Sequence, residues 1–373
     1  MGIPNAAVSA ATMKAMVLTG HGGLDKLIYQ DVTVPQPGPE EVLIKVAACG
    51  VNNTDINTRT GWYSPHVKTA LTSDIGVNGV PADAEELGTW DRDSLKFPRI
   101  QGADAVGVIV AVGRDVDRRR IGERVMVDPC IRNPSLPSLS QGVMYFGSEC
   151  DGGYAEYTKV VSENAMTVNT NLSDIELASF ACSYSTGEEM LVRINLQAGE
   201  TVLVTGASGG VGSANVQLAK RRGARVIAVA GQSKEALVRD LGADEFIPRE
   251  RQDLARAIEE LVGRRGIDAV ADVTGGPTFS QMLRALRRAG RYVSAGAIAG
   301  PCPEIDLRDL IYKDLQMWGV GNPQKSTFAS LVGYIERGEI RPLVAKTYPL
   351  AALRDAHTEF VSKAHVGKIV ITI

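Results

Sequence analysis

Between Lys14 and about Thr167, apolar positions fall in short runs broken by proline and glycine. Val42, Ile44 and Val46 alternate with Leu43 and Lys45, and similar runs cover Lys14 to Leu18, Ala105 to Val112 and Arg124 to Val127. Runs of that length with β-branched residues and turn punctuation predict strands, so this half is expected to be mainly β. Two segments interrupt it. Ser64 to Pro98 is rich in Gly, Asp and Ala, and Pro129 to Glu149 in Pro and Ser. Loops so long are uncommon unless they serve a function or are disordered, which points to a lid or wall for the first and an external lobe for the second.

Near Thr170 the pattern changes. Asp174 to Phe180 and Thr186 to Ile194 predict helices, and strands and helices then alternate. The expected strands are Thr201–Thr205, Arg225–Ala230, Glu245–Ile247, Asp268–Val273, Arg291–Ala295 and Leu315–Val320, with helical periodicity between them, as in Glu235, Leu237, Val238 and Leu241 before Gly242. Near-continuous apolar strands separated by helices predict a parallel sheet covered on both faces. A helix over Thr327 to Arg337, a strand over Leu343 to Tyr348, a helix over Leu350 to Val361 and a strand over Lys368 to Ile373 close the chain, which has no internal repeat.

The sharpest chemical signal opens this second part. Thr201 to Gly212 reads Thr-Val-Leu-Val-Thr-Gly-Ala-Ser-Gly-Gly-Val-Gly and runs directly into a helix-compatible Ser213 to Arg222. Glycines let backbone N–H groups approach a pyrophosphate, and the positive end of the helix dipole faces it. Ala207 stands in the first glycine slot of the Gly-x-Gly-x-x-Gly fingerprint, before Gly209 and Gly212. The candidate phosphate cradle is therefore Ala207, Ser208, Gly209, Gly210, Val211 and Gly212.

Length and charge narrow the setting. A chain of 373 residues exceeds the roughly 250–300 at which one core stops growing, so two domains are expected. Net charge is −3, and Arg118-Arg119-Arg120 reads as a solvated turn, so small metabolites are expected as partners, with neither nucleic acid nor membrane. Residues 1–30 have no charged leader followed by an apolar core, and no stretch reaches the ~18 apolar residues of a membrane span. A cytoplasmic location is expected. Cys49, Cys130, Cys150, Cys182 and Cys302 form no Cys-x-x-Cys pair and are expected to be reduced and mainly buried. The histidines His21, His66, His357 and His365 show no ligand spacing, and no zinc site is expected.

Several stretches, in order and spacing, carry a resemblance. They are Ala48-Cys49-Gly50-Val51-Asn52 with Thr54-Asp55; Gly102-Ala103-Asp104 with Gly107; Gly152-Gly153-Tyr154-Ala155-Glu156-Tyr157; the glycine loop; Asp240-Leu241-Gly242-Ala243-Asp244; and His365-Val366-Gly367-Lys368. Over nearly its whole length the chain resembles the medium-chain dehydrogenase/reductase superfamily, in its zinc-free quinone oxidoreductase and enoyl reductase branch. The resemblance implies an α/β architecture: a GroES-like β-rich catalytic domain over residues 1–166 with an insertion at 64–98, a Rossmann doubly wound domain over 167–321, and a C-terminal return, 322–373, to the first domain. It also implies a homodimer through the sheet edge near Leu315 to Val320.

Alcohol dehydrogenases of that superfamily place a zinc-ligating Cys where this chain has Asn52 and a zinc-ligating His where it has Ala103. The four clustered cysteines of their structural zinc lobe are also missing between Pro129 and Cys150, leaving only those at 130 and 150. Without a Lewis acid to polarise a simple carbonyl, the expected substrate already delocalises charge, as a quinone or an α,β-unsaturated carbonyl does. Tyr63, in Gly61-Trp62-Tyr63, matches a tyrosine that lines the substrate site in this branch; a packing role at the start of the insertion is the alternative. Asn52 is expected beside the nicotinamide ribose or as a buried amide holding its loop. Asp104 is expected as a cleft acid or a structural hydrogen-bond partner. Trp90, Phe97 or their neighbours are expected to shape or cover the substrate pocket, with a surface embellishment that aids dimerisation as the alternative.

The strand Arg225–Ala230 ends in Ala230-Gly231-Gln232-Ser233-Lys234, without the carboxylate that would hold the adenosine ribose hydroxyls of NAD. Ser233 and Lys234 could instead meet a 2′-phosphate, which favours NADPH. Thr186, Gly296 and Lys368 complete the cofactor candidates, with a surface charge as the alternative for Lys368. The expected activity is zinc-independent, NADPH-dependent reduction of a quinone or an activated C=C. An enoyl-CoA or enoyl-ACP reductase and a non-catalytic NADPH-binding protein are the rivals.

Overall fold

The computed structural model describes residues 11–81, 95–133, 135–136 and 143–373. Trp90 lies outside them.

Residues 201–319 carry a six-stranded sheet in the order Glu245–Pro248, Arg225–Ala230, Thr201–Val204, Ile267–Asp272, Leu286–Ser294, Gln316–Gly319. Every pair is parallel. This is the doubly wound order in which the chain reverses direction between the first strand, Thr201–Val204, and the fourth, Ile267–Asp272, opening a crevice at their carboxyl ends. The strands are apolar on both sides because both faces are covered: Val202 and Val204 pack into one core, Leu203 and Ile227 into the other, all fully buried.

The rest forms the β-rich part. A seven-stranded sheet has the order Ala165–Thr167, Arg124–Val127, Asp104–Val112, Glu41–Gly50, Lys368–Thr372, Val344–Pro349, with Tyr157–Val161 also paired to Glu41–Gly50. A three-stranded sheet is built from Leu27–Thr33, Thr12–Leu18 and Arg99–Ile100. The final strand, Lys368–Thr372, is antiparallel to Glu41–Gly50, so the end of the chain lies beside its beginning.

Three expectations need correction. Pro129–Glu149 is not simply an external lobe: Cys130–Arg132 pairs antiparallel with Val143–Tyr145, and Cys130, Tyr145 and Phe146 are buried. Arg118 to Arg120 form a 3-10 turn, but Arg120 is not solvated. Its guanidinium donates to the Ser162 and Ala165 carbonyls and to Glu123. The N-terminal half also contains helices that the apolar pattern does not announce, Asn53–Thr60 and Ser73–Asn78.

Candidate functional site

The glycine loop sits at the carboxyl end of the first strand of the parallel sheet. Gly206 takes the left-handed backbone (φ 57°), so the tight turn is made one residue before the slot that Ala207 fills. Ala207 is buried and donates its N–H to the Val229 carbonyl at 3.0 Å. Gly209 caps the helix Gly210–Arg221, whose first intrahelical bond is Ser213 N–H to Gly209 O. The amides of Gly210, Val211 and Gly212 therefore precede any helical acceptor and face the crevice end of the helix. A Cβ on Gly212 would lie 2.0 Å from Gly206 O, so the helix packs against the turn in a way only glycine permits. This cradle fits a dinucleotide pyrophosphate.

Asp272, at the end of the fourth strand, organises the other wall of the crevice. Its buried carboxylate accepts from the Thr205 hydroxyl (2.5 Å), the Thr274 amide and hydroxyl (2.9 Å each), the Gly275 amide (3.0 Å) and the Tyr292 hydroxyl (2.6 Å). Gly296 packs here: its Cβ would be 2.5 Å from the Val273 carbonyl oxygen.

Opposite the loop, three sequence candidates meet. Asp104 opens its strand, Asn52 precedes the helix Asn53–Thr60, and Lys368 opens the last strand; all three are buried. The Lys368 ammonium donates to Asn52 Oδ1 (2.5 Å) and pairs with Asp104 Oδ2 (2.8 Å). Asn52 Nδ2 donates to the same carboxylate oxygen at 3.0 Å. Asp104 Oδ1 accepts the Cys182 amide at 2.6 Å, in the first turn of the helix Ala181–Arg193. The reading of Lys368 as a surface charge is thus excluded. The cluster touches the cradle: Gly367 N–H donates to Ser208 O at 2.9 Å, and a Cβ on Gly210 would lie 3.1 Å from Lys368 Cδ.

Asn52 also donates its own amide to Asp55 Oδ2, which accepts from the Tyr154 hydroxyl too. Burial raises the Asp55 carboxyl to about 6 despite those donors.

Tyr63 stands just beyond the Gly61 cap of the helix Asn53–Thr60 and is half-buried. Burial pushes its phenol up to about 12, while hydrogen bonds with the Thr54 and Asn57 side chains pull it back, so it remains a protonated donor at neutral pH. A second phenol, not anticipated from sequence, meets the residue whose amide bonds Asp104: Tyr145 donates to Cys182 Sγ at 3.0 Å. Burial and Asp104 raise the Cys182 thiol to about 12, leaving it un-ionised. Thr186 is half-buried one turn further along Cys182's helix, on the same face.

The insertion reaches the other half of the molecule through Leu71, whose amide donates to Ile298 O at 2.8 Å. Phe97 packs edge-on against His21 at 4.8 Å.

At the far end of the cradle, Ser233 is exposed and Lys234 half-buried in the 3-10 turn after Ala230. The Lys234 ammonium bonds to the carbonyls of Lys363 (2.6 Å) and His365 (2.9 Å), tying the C-terminal stretch to this turn. Two further cations gather there. Arg249 comes to 3.9 Å of a Cβ built on Gly231, behind the Glu250 carboxylate at 3.6 Å with which it pairs, and burial together with Lys234 brings the Lys363 ammonium down to about 8. Burial and Lys363 lower His365 to about 4. Neither Arg249 nor Lys363 was legible as a site residue: strand register brings the first to the turn, and the end of the helix Leu353–Ser362 brings the second.

The residues at the place of a catalytic metal do not suit one. Asn52 and Ala103 offer an amide and a methyl group, and among the described residues no three His, Cys, Asp or Glu side chains are grouped to hold an ion.

Two family models match the chain: "alcohol dehydrogenase GroES-like domain" over residues 38–170 and "zinc-binding dehydrogenase" over residues 210–337. The chain is 30% identical to the quinone oxidoreductase of Mus musculus over 373 residues, 97% of this chain and 98% of that one. A crystal structure provisionally assigned as an alcohol dehydrogenase of Sinorhizobium meliloti 1021 is 53% identical, with a TM-score of 0.88 over 97% of this chain and 96% of that one. The 2-octenoyl-CoA carboxylase reductase CinF, solved with NADP and 2-octenoyl-CoA, is 25% identical, with a TM-score of 0.82 over 100% of this chain and 88% of that one.

Proposed function

This chain belongs to the medium-chain dehydrogenase/reductase superfamily, and from that premise we propose that it is a zinc-independent, NADPH-dependent reductase acting on a quinone or an α,β-unsaturated carbonyl compound. The observation that carries the cofactor half is the turn after Ala230. It carries no acidic residue from Ala230 to Lys234 and sets Lys234 and Arg249 beside Gly231, with the one nearby carboxylate, Glu250, paired to Arg249 at 3.4 Å. The 210–212 amides would hold the pyrophosphate, and NADPH when bound supplies the hydride.

The protein's own contribution is to place the acceptor and meet the charge that develops on it. Hydride adds to an electrophilic carbon of the substrate, the C=C electron pair moves toward the carbonyl, and negative charge collects on oxygen. A donor aimed at that oxygen contributes about 2.7–4 kcal/mol to the transition state. Tyr63 fits this role because its phenol is held protonated and oriented by Thr54 and Asn57. In this reading Ser233 donates to the 2′-phosphate, and Thr186 and Gly296 complete the cofactor contacts. A thioester substrate is the second reading, favoured by the likeness to CinF, which binds an enoyl-CoA.

A panel of quinones, enones and enoyl thioesters, each run with NADPH and with NADH, tests the proposal. NADPH oxidation is expected with at least one class, and NADH is expected to be the weaker donor. On the best substrate, Tyr63→Phe should lower kcat by about 100-fold, the cost of one lost oxyanion donor. Full activity in that variant would remove Tyr63 from the mechanism. Tight NADPH binding without oxidation of any substrate would favour a non-catalytic role.

The same reading includes a homodimer. The strand Gln316–Gly319 is a sheet edge, and Leu307 (58% exposed), Ile311 (60%) and Tyr312 (72%) leave an apolar surface beside it. An open, partly apolar edge is a template for pairing with a second copy. Sedimentation velocity should show a dimer, and Tyr312→Glu combined with Ile311→Glu should shift it toward monomer; an unchanged profile would place the interface elsewhere.

A further inference from the structure

The fold family implies a catalytic metal, since one of the matching models is that of zinc-binding dehydrogenases. The residues at that place do not fit one, yet the place holds a charged donor. Lys368 brings an ammonium into it with only 2% of the residue exposed, against an Asp104 that is fully buried. A buried lysine is costly unless it is paired and hydrogen-bonded, and here the pairing is complete. Both Asp104 oxygens and both ends of the Asn52 amide are engaged.

An ammonium has three N–H donors. Among the described residues Lys368 spends one on Asn52 Oδ1 and one on Asp104 Oδ2. Its side chain runs along Gly210, the first residue of the cradle helix, so the remaining donor is offered to an oxygen of a molecule lying over that residue. We infer that the Lys368 ammonium is the resident cation of this site, fixed by Asp104 and Asn52, and that it serves the reduction in place of a divalent metal. Asp104 and Asn52 are then positioning residues acting through Lys368. The inference rests on the reductase reading above, and it extends that reading by naming the charge that makes metal-free turnover possible.

The oxygen that receives the third N–H belongs either to the bound nicotinamide nucleotide or to the substrate, and one set of variants separates the two. Lys368→Met is paired with the double variant Lys368→Met/Asp104→Asn, in which the carboxylate that Lys368 leaves behind is neutral as well. The single variant is expected to lose thermal stability and the double variant to regain most of it, because the orphaned buried charge is gone. In the double variant kcat should remain at least about 100-fold below wild type, the range for one lost donor. A raised Kd for NADP⁺, measured by calorimetry without any substrate, assigns the oxygen to the cofactor; an unchanged Kd with the fallen kcat assigns it to the substrate. The purified wild type should contain well under one equivalent of zinc and keep its rate in a chelator.

A double variant with wild-type kcat and wild-type Kd would reduce the ammonium to a structural counter-ion and overturn the proposal. So would stoichiometric zinc whose removal abolishes activity. If no substrate class is reduced, the reductase reading fails on the panel, while the calorimetric comparison still decides whether Lys368 reaches the bound cofactor.

Discussion

Gly212→Ala is expected to remove measurable NADPH binding, weakening it by about 100-fold or more, and to lower the thermal midpoint at the same time. The added methyl would lie 2.0 Å from Gly206 O and 2.5 Å from Gly206 C. Both are backbone atoms in a turn already committed to φ 57°, so neither can yield as a flexible side chain would. The helix Gly210–Arg221 must shift away from the turn, and its amides then no longer converge on a phosphate. Overpacking of this kind costs about 1–3 kcal/mol of stability. Gly209→Ala is the control. Its nearest neighbour is Gly206 O at 3.4 Å, and its φ of −84° suits any residue. It should leave stability unchanged and weaken NADPH only if the nucleotide approaches that backbone closely. Unchanged calorimetric binding in Gly212→Ala would mean that the cofactor is held elsewhere.

The contrast between those two glycines shows what could be read from sequence. The cradle was legible because its chemistry is local: an apolar strand, glycines and a helix within about a dozen residues specify the site without knowledge of the rest. Strands such as Arg225–Ala230 and Arg124–Val127 were legible to the residue, because β-branched runs bounded by turn residues are strong local signals. The helix Asn53–Thr60 was not. Asn-Thr-Asp-Ile-Asn-Thr-Arg-Thr has no apolar period and weak helical propensity. It is held by the Asn52 amide bonding to the Asp55 side chain, by a left-handed Gly61 cap, and by the burial of Arg59 beneath the Gly22 and Gly76 carbonyls.

The site divides along the same line. Asn52, Asp104 and Lys368 could each be named from short motifs, but their association depends on the last strand pairing with Glu41–Gly50, a contact between residues more than 300 positions apart. A lysine after a glycine at the start of a strand otherwise reads as a solvent-exposed charge. Arg249, Tyr145 and Asp272 carry no motif of their own. Their places follow from which strand ends the topology brings to the crevice.

Asp272 supports the strongest statement about such a residue. Asp272→Ala should destabilise the protein by roughly 3–5 kcal/mol, because a hydrogen bond to a charged group contributes about 1.5–3 kcal/mol and the contributions within one network are not additive. Four residues donate to this carboxylate, and Thr205 and Gly275 lie on opposite sides of the crevice. The loss should extend to the ligand site. Val273 and Thr274 press against Gly206, the nearest atoms being 2.8 and 3.3 Å from a Cβ built there, so loosening the Thr274–Gly275 turn loosens the cradle. NADPH affinity should fall by about 10-fold or more even at temperatures where the variant is fully folded. Asp272→Asn keeps one acceptor oxygen and can still accept from Thr205 and Thr274. Its new NH₂ can donate to the Tyr292 hydroxyl, but it faces the Gly275 amide as one donor against another. Roughly half the destabilisation is therefore expected. Urea unfolding and calorimetric titration with NADPH measure the two effects separately. An alanine variant as stable as wild type would show that the turn holds without the carboxylate. A destabilised variant with unchanged affinity would show instead that the cradle does not depend on this wall.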